Sequence, residues 1–497
     1  MDVHEIEVKL AVEGPVKLSD FTNDFDGVVE VRELGPVTLR ATYHDTEDLR
    51  LIHGGVTLRW RSGDDPGAAW TLKLPVEGDT VERRELRFEG SARSAPAEAL
   101  SLLTAYVRSD SLGPVARLRT VRKRWLLLGE KGLELAEISH DQVSILDGRR
   151  VTGRFSELEI EARGLDRADL ERVAEVFREA GAVPAAPIPK LARAVGIDLG
   201  ATSDEEFTDL RPVDRAGLAL RAALDSGFKR LVANDPATRL GEVEPLHQMR
   251  VATRRLRSDL KTFSSLVEPA WMEETRAELK WLGELLGDVR DMDVLLGRFE
   301  ASAPDLAESL GPLFESLDDQ RRSAFSRLLE ALTSARYIEL LDRIDGGRVC
   351  PPLTPEANRL CSELLPPLTL KAWKKARRKM ASLGTEASDG DLHRLRILVK
   401  RTRYAAEAAE GPLQDKRVGK FANRAADVQD ALGEIQDALT ARATIERVLQ
   451  EKHGSDVLLA AGRLLERELV AASQARRTWT KPWSKLDDKK LVAWMRS

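Results

Sequence analysis

The chain has 497 residues, too many for one ordinary hydrophobic core, so two or more domains are expected. Its 42% hydrophobic and 32% charged residues place it among soluble globular proteins, and a net charge of −5 argues against a generally basic nucleic-acid binder. Two cysteines, Cys350 and Cys361, match no metal spacing and are too few for a disulfide framework, and no apolar run reaches the ~20 residues of a membrane helix, so a reducing cytoplasm without a membrane partner is expected.

The opening MDVHEIEVKL sets Glu5, Glu7 and Lys9 at alternate positions among Ile6, Val8 and Leu10, the period of a strand with one charged and one apolar face. Alternating runs recur to about residue 165: GVTLRWR (55–61), AAWTLKLP (68–75), VERRELRF (81–88), VARLRTVRKRWLLL (115–128), LELAEIS (133–139) and FSELEIEARG (155–164). Turn signals at Gly63-Asp64-Asp65-Pro66-Gly67 and Asp147-Gly148 separate them at hairpin spacing. The expectation is about eight antiparallel strands in a sandwich or barrel. A helix follows over about 166–180, then the Pro-broken VPAAPIPKLARAVGIDL and a polar linker over 201–212.

Charged residues share parity along several strands. Arg59 with Arg61, Arg83 with Glu85 and Arg87, Arg122 with Arg124, and Glu157 with Glu159 and Glu161 each fall on one face, and Lys73 interrupts an apolar run. A half-exposed sheet would also alternate. Here, though, acids gather on the first and last strands while those between carry mainly Arg and Lys. If the sheet closes, carboxylates meet on one side of a lumen opposite a basic wall. Grouped carboxylates repel unless a cation lies between them, and hard divalent ions prefer oxygen ligands; guanidinium and ammonium groups facing such an ion suit a phosphate chain.

In order, these elements resemble the CYTH domain of the triphosphate tunnel metalloenzymes, whose signature E-x-E-x-K matches Glu5, Glu7 and Lys9. Its R-x-R matches Arg59 and Arg61, and its lysine strand matches Lys73. R-x-E matches Arg83 and Glu85, and E-x-E-x-E matches Glu157, Glu159 and Glu161. Arg122 and Arg124 fit the basic strand between, although Arg117 and Arg119 compete for that place; Asp141 and Lys190 resemble a further acid and a late lysine of the family. The resemblance implies an eight-stranded antiparallel β-barrel tunnel that binds a triphosphate and one or two divalent ions. Glu5, Glu7, Glu159 and Glu161, with Asp141 and Glu157 beside them, would hold Mg²⁺ or Mn²⁺. Lys9, Arg59, Arg61, Lys73, Arg83 and Arg122 would clamp phosphates, with Glu85, Arg124 and Lys190 completing the catalytic set. His44, His53 and His140 have satisfied or exposed readings at least as good as catalytic ones.

From about residue 213 the apolar period changes to 3.6, so the rest is helical. It holds an internal repeat: LHQMRVATRRLR from Leu246 and LHRLRILVKRTR from Leu392 stand 146 residues apart, and the same offset carries LGDVRD (286–291) onto LGEIQD (432–437). The segment with Pro351, Pro352, Pro355, Pro366 and Pro367 fits the joint between the halves. His247, Arg250, Arg254, Arg257 and Lys261 line one helix face, with Arg255 beside them, and His393, Arg396, Lys400 and Arg403 repeat the stripe, with Arg401 beside it. A third basic run, KAWKKARRK (371–379), includes Lys375 and Arg378. A cationic stripe roughly 20 Å long suits an extended polyanion. A metal reading of His247 and His393 lacks a nearby second ligand.

The histidine-headed repeats resemble the CHAD domain (conserved histidine α-helical domain). That resemblance implies a duplicated four-helix-bundle domain with a basic groove for inorganic polyphosphate, and Asp288, Asp291, Glu434 and Asp437 as braces for arginines. The second copy departs from the first with Lys400 for Arg254 and Thr402 for Leu256, so its side is expected to bind less tightly. The expected architecture is multidomain α+β: a tunnel domain over 1–200, a linker over 201–212, and a helical domain over 213–490 with repeats at about 213–345 and 355–490. The leading functional expectation is metal-dependent hydrolysis of inorganic triphosphate with polyphosphate bound by the helical part, in the cytoplasm and at polyphosphate granules. The alternatives are a non-catalytic polyphosphate-binding protein and a triphosphatase acting on an organic triphosphate such as thiamine triphosphate. Nucleic acid ranks third, because no aromatic residues interleave with the basic stripes.

Overall fold

Strict apolar–charged alternation makes β1 (Asp2–Ala11) a strand. In the computed structural model the described residues are 2–12, 25, 27–63, 67–76, 79–185, 189–197, 209–384, 387–450 and 453–496, with backbone alone for 2–5, 76, 79–82 and 448. The Glu5 side chain, residues 64–66 of the expected turn and residues 201–208 of the expected linker therefore lie outside the described set. The chain divides into two units, Met1–Thr202 and Ser203–Ser497.

In the first unit β1 is followed by β2 (Glu30–Asp45), β3 (Thr57–Ser62), β4 (Ala69–Val76), β5 (Asp79–Phe88), β6 (Gly113–Leu128), β7 (Glu134–Asp147), β8 (Arg150–Ala162) and β9 (Val183–Pro184). Their order in one antiparallel sheet is β5-β4-β3-β2-β6-β7-β8-β1-β9, and β1 also pairs with β5. The described sheet thus has nine strands, not the expected eight. The ninth is a two-residue strand in the Pro-broken stretch, set against Leu10 and Ala11, and too short for alternation to reveal. Strand β2 was not among the runs the alternation singled out because Gly35-Pro36 interrupts it. The register against β6 shifts there, between Leu34 and Val37, and a bulge is where a proline without an N–H is tolerated. At the end of β3, Gly63 has φ +101°, and a Cβ on it would stand 2.2 Å from the Thr38 carbonyl oxygen, so only glycine fits.

Short helices α1 (Arg50–His53), α2 (Ala97–Leu102) and α3 (Thr104–Val107) fill strand connections, and α4 (Arg167–Glu179) and α5 (Lys190–Val195) follow β8. Asp166 caps α4 by accepting from the Asp169 N–H at 2.8 Å. Leu170, Val173, Ala174 and Phe177 of α4 pack on Leu10, Ile138, Leu158 and Ile160, the apolar parity of β1, β7 and β8. Fully burying each such Leu, Ile or Phe contributes about 1.5–3 kcal/mol. With one parity held against α4, the other parity of those strands, which carries the acids, faces the opposite side of the sheet.

The second unit is helical. Its elements are α6 (Ala216–Arg239), α7 (Val243–Thr262), α8 (Pro269–Ser302), α9 (Gly311–Leu332) and α10 (Ala335–Val349), then α11 (Cys361–Ala381), α12 (Asp389–Leu413), α13 (Lys416–Gln450), α14 (Ser455–Thr478) and α15 (Thr480–Leu486). Each helix of the second group starts roughly 146 residues after its counterpart, so the sequence repeat is also a repeat of helices. The halves join where Leu295 and Phe299 of α8 and Leu313 and Leu317 of α9 meet Ala441 and Ile445 of α13 and Leu464 of α14. The two histidine-headed helices, α7 and α12, also pack together. Pro351, Pro352 and Pro355 lie between α10 and α11, but Pro366 and Pro367 are inside α11. As its sixth and seventh residues they cannot donate the i→i−4 bonds to Ser362 and Glu363, and burial of Leu364, Leu365 and Pro366 carries the helix through.

Candidate functional site

Cross-strand register assembles the charged face of the sheet. Across β1 and β8, Glu7 stands opposite Glu161 and Lys9 opposite Glu159; across β1 and β5, Glu5 stands opposite Arg83. Lys73 faces Glu85, Arg122 faces Asp141, Asp141 faces Glu157, and Arg59 faces Tyr43. This face lines a cavity of about 530 Å³. Its described lining holds eleven Lys and Arg residues against six Glu, a surplus of five positive charges.

The acids of the site are held by bases at contact distance. Lys9 Nζ lies 3.2 Å from Glu7 and 3.1 Å from Glu159. Arg122 grips Asp141 with two bonds of 2.7 Å and donates to Glu159 at 2.6 Å. Lys190, at the start of α5, places its ammonium 2.9 Å from Asp141, 2.6 Å from Glu157 and 2.8 Å from Glu159. Arg193, one turn on, reaches Glu157 at 2.9 Å. Burial works against the charge on Glu159, but Lys190, Lys9 and Arg122 overcome it and hold its pKa well below the usual carboxylate range. Burial likewise opposes the Lys190 ammonium, and Asp141, Glu159 and Glu157 raise its pKa well above the ordinary value. On the basic wall Lys73 lies 3.1 Å from Glu85; there burial is overcome by Lys73, Arg59 and Arg61, which hold Glu85 at about 2.

One carboxylate oxygen from each of Asp141, Glu157 and Glu159 lies within 4.8 Å of the others, a hard-oxygen set whose chemistry fits Mg²⁺ or Mn²⁺. The Lys190 ammonium contacts all three of these carboxylates, so an ion held by them would have to displace it. Glu161 is turned instead to Arg163, at 3.3 Å, which also donates to Glu137 at 2.8 Å.

In the helical unit the basic stripes of α7 and α12 converge. The charges that act on Lys400 of α12 are Arg254 and Arg250 of α7 and Arg396 and Arg403 of its own helix; with burial as the larger cause they push its pKa down to about 7. Lys400 Nζ lies 5.8 Å from the Tyr404 ring centroid. Among the described residues, the buried Nε atoms of Arg254, Arg257 and Arg396 have no hydrogen-bond partner. Other bases of the stripes are neutralised: Arg255 pairs with Asp259 at 3.2 Å and with Glu407, and Arg403 donates to Glu407 at 2.6 Å. His393 Nδ1 meets Gln436 at 2.9 Å, whereas His247 is half-buried, with a pKa lowered by burial and by Arg290.

The sequence matches the CYTH domain family over residues 3–183 and the CHAD domain family over residues 222–446. It is 32% identical over 509 residues to the uncharacterized protein Rv2226 of Mycobacterium tuberculosis strain H37Rv, covering 94% of each chain, and equally to protein MT2285 of strain CDC 1551. The chain belongs to the CYTH–CHAD family. Similar solved structures are PptA from Streptomyces chartreusis (24% identity, 55% of this chain and 100% of that one, TM-score 0.48) and the CHAD domain of the plant Ricinus communis (24% identity, 55% and 95%, TM-score 0.43).

Within the CYTH domain, Glu7, Lys9, Arg59, Arg61, Lys73, Arg83, Glu85, Arg122, Arg124, Glu159, Glu161 and Lys190 of the sequence-derived set line the one cavity, while Asp141 and Glu157 lie buried behind Glu159. Sequence reasoning placed Arg87 on the charged face without assigning it to the site, and it missed Tyr43, Glu137, Arg163, Glu171 and Arg178 as lining residues. Strand parity could have found Glu137 and Arg163, since Glu137 stands at even spacing from Asp141 on β7 and Arg163 continues the 157/159/161 alternation. In the CHAD domain Lys261 and Arg401 are exposed, as are Lys375 and Arg378 on α11, where Arg378 donates to the Lys374 carbonyl. Of the expected braces, Asp291 holds Arg250 at 2.6 Å and Glu434 holds Arg298 at 2.8 Å. Asp288 lies 3.7 Å from Arg327, and Asp437 is a half-buried acid acted on by Arg396 and Arg298.

Proposed function

We propose that this CYTH–CHAD protein hydrolyses inorganic triphosphate in the CYTH cavity, with Mg²⁺ or Mn²⁺, and that its CHAD domain binds inorganic polyphosphate along the α7–α12 seam. The observation that carries the first part is the lining itself: a surplus of five positive charges, acids gathered on β1 and β8, and bases on the strands opposite. In this reading the eight long strands work as a tunnel, consistent with the pairing of β1 to both β8 and β5. A divalent ion would be held by Glu159, the member of the buried oxygen set that also lines the cavity, with Glu5, Glu7 and Glu161 of the flanking strands completing its ligands once Glu161 leaves Arg163, and it would supply a polarised water and offset phosphate charge. Arg59, Arg61, Lys73, Arg83, Arg122 and Arg124 grip the chain of phosphates and align it, each guanidinium offering paired donors to phosphate oxygens. Lys9 and Lys190, kept protonated by their acids, hold positive charge where the terminal phosphoryl group sits.

Tyr43 is the one aromatic residue in the described lining, so a nucleoside or thiazolium has little there to stack on. This favours inorganic triphosphate over thiamine triphosphate or a nucleotide. The polyphosphate reading rests on the convergence of Arg250, Arg254, Arg396 and Lys400 at one seam.

The test is phosphate release from tripolyphosphate, ATP and thiamine triphosphate with each metal. Tripolyphosphate should turn over fastest, and Glu7→Gln should lower its turnover by about a hundredfold or more, the scale of losing a metal-linked interaction in the transition state. Binding of tripolyphosphate without metal-dependent release from any substrate would leave a non-catalytic binder in its place. Charge reversal at Arg254 and Lys400 should weaken binding of long-chain polyphosphate and leave tripolyphosphate turnover intact. Unchanged polyphosphate affinity in that double variant would show the seam to be misassigned.

A further inference from the structure

The side of β6 that faces away from the cavity meets different surroundings at its two ends. Trp125 and Leu127 pack under α4 with Ile138, Leu158 and Ile160. Arg117 and Arg119, of the same parity, lie outside that cover and are exposed. By sequence both fit a basic strand of the tunnel, but neither lines the cavity; Leu118 between them is the residue turned inward, beside Tyr43 and Val143. Register extends the row across the sheet. Arg40 of β2 stands directly opposite Arg119, Arg119 opposite Ser144 of β7, and Ser144 opposite Arg154 of β8. Arg40 and Arg154 are exposed as well. Opposed side chains on one face are about 5 Å apart at Cβ, so Arg40 and Arg119 meet as like charges, which is destabilising. The row crosses four strands, roughly 14 Å, and Arg117 adds a fourth guanidinium two positions along β6. Bordering positions on this face hold Thr38, Thr42, Ser62 and Ser144, and among the described residues none of the four arginines has an ion pair. A merely solvated face, in a chain with 82 acids and 77 bases, would intersperse the two signs.

We infer that this bare end of the outer sheet face, built on Arg40, Arg117, Arg119 and Arg154, is a docking surface for inorganic polyphosphate, separate from the cavity and carried by the CYTH domain itself. The inference rests on polyphosphate being a ligand of this protein, but not on the α7–α12 seam. Guanidiniums with hydroxyls between them offer paired charged donors and single neutral ones, the set that phosphate oxygens accept. Their spacing is uneven, about 5 Å across one strand pair and roughly 10 Å across the next two. A flexible chain charged at every link meets such a row in any register, whereas an acidic peptide has to match it. Among the described residues no exposed aromatic side chain borders the row, so nucleobases have nothing to stack on, which favours a bare phosphate chain over single-stranded nucleic acid.

The experiment uses the full chain and long-chain polyphosphate, with affinity measured by titration calorimetry and tripolyphosphate turnover followed alongside. Arg40→Gln combined with Arg119→Gln removes two exposed guanidiniums and a like-charge opposition, so the fold is kept, as thermal unfolding checks. The expected result is about tenfold weaker polyphosphate binding, the scale of two exposed charge contacts, with tripolyphosphate turnover unchanged. Unchanged polyphosphate affinity would overturn the inference. The same pair placed in an Arg254→Glu, Lys400→Glu background should lower the remaining affinity by a similar factor. If that background alone abolishes binding, the outer face is no contact in its own right, and the inference falls while the seam reading stands. If that background binds as the wild type does and the outer pair still weakens binding, the seam reading falls and the inference stands. Single-stranded RNA or poly-glutamate bound more tightly than polyphosphate, and lost in the outer pair, would overturn the choice of occupant. Failure of the unmodified chain to bind polyphosphate would overturn both readings.

Discussion

Lys190 Nζ lies 2.8 Å from Glu159 Oε1 and is the ammonium at the centre of three buried carboxylates. Glu159 is at the same time bound to Lys9 and Arg122, so it is the acid at which the α5 lysine, the first strand and the basic β6 strand meet. Removing one partner from such a buried network leaves unpaired charge, which is far more damaging than never having built it.

Lys190→Met should therefore destabilise the CYTH domain by about 3–5 kcal/mol at pH 7. The pH dependence has a definite sign. Glu159 is held well below its ordinary 4.5, so its contribution is present above that value and lost as pH falls through the depressed range. The stability gap between wild type and Lys190→Met should accordingly narrow between pH 7 and pH 3. Urea unfolding at the two pH values measures it, and an equal gap at both would rule out Lys190 as the partner that keeps Glu159 ionised.

Lys400 provides the second pH-dependent prediction. It faces Arg250 and Arg254 from α7 and Arg396, Arg403 and Tyr404 on its own helix; Asp259 and Glu407, the nearest acids of the seam, are engaged by Arg255 and Arg403. With its pKa pushed down to about 7, it loses its charge above that pH, so the bare domain gains stability from this group between pH 7 and the ordinary 10.5. A bound polyanion favours the protonated form. Polyphosphate affinity should drop as pH rises from 6 to 8.5, by about tenfold for one charge-assisted contact. Lys400→Arg should flatten that slope, and a wild-type affinity that is flat in pH would exclude the titration.

Phe177 tests the layer behind the site. It is 2% exposed, packs with Leu170 and Val173 on the apolar faces of β1 and β8, and lies 5.8 Å, ring to ring, from Phe25. Phe177→Ala should cost about 3–5 kcal/mol of CYTH-domain stability, as large cavities in cores do. Thermal unfolding should show the β-rich transition shifted down with the helical one in place; a loss under about 1 kcal/mol would mean α4 is not what holds the acid strands from behind.

Much of this was legible in one dimension because side-chain direction in a strand depends only on parity. Glu5, Glu7 and Lys9, the 59/61 and 83/85 pairs and the 157/159/161 triplet declare a charged face without any knowledge of neighbours. The helical duplication was legible for a similar reason: equal spacing preserved at Leu246 and Leu392 makes equal helices. The misses have local causes. A bulge at Gly35-Pro36 broke the alternation of β2, β9 was too short to show any, and Pro366 and Pro367 were assigned to the joint although packing carries α11 through them.

By itself the sequence determined that strands come first and helices after, which face of each is charged, and that the helical part is built twice. Only the tertiary structure decided which charges cancel. Arg255 and Arg403 are spent on Glu407, while Arg254 and Lys400 face other cations; Lys190, 31 positions from Glu159 along the chain, becomes its closest lysine. Periodicity reports the direction of a side chain relative to its own backbone. The partner it meets depends on register and helix packing, which bring together residues whose separation in sequence carries no signal.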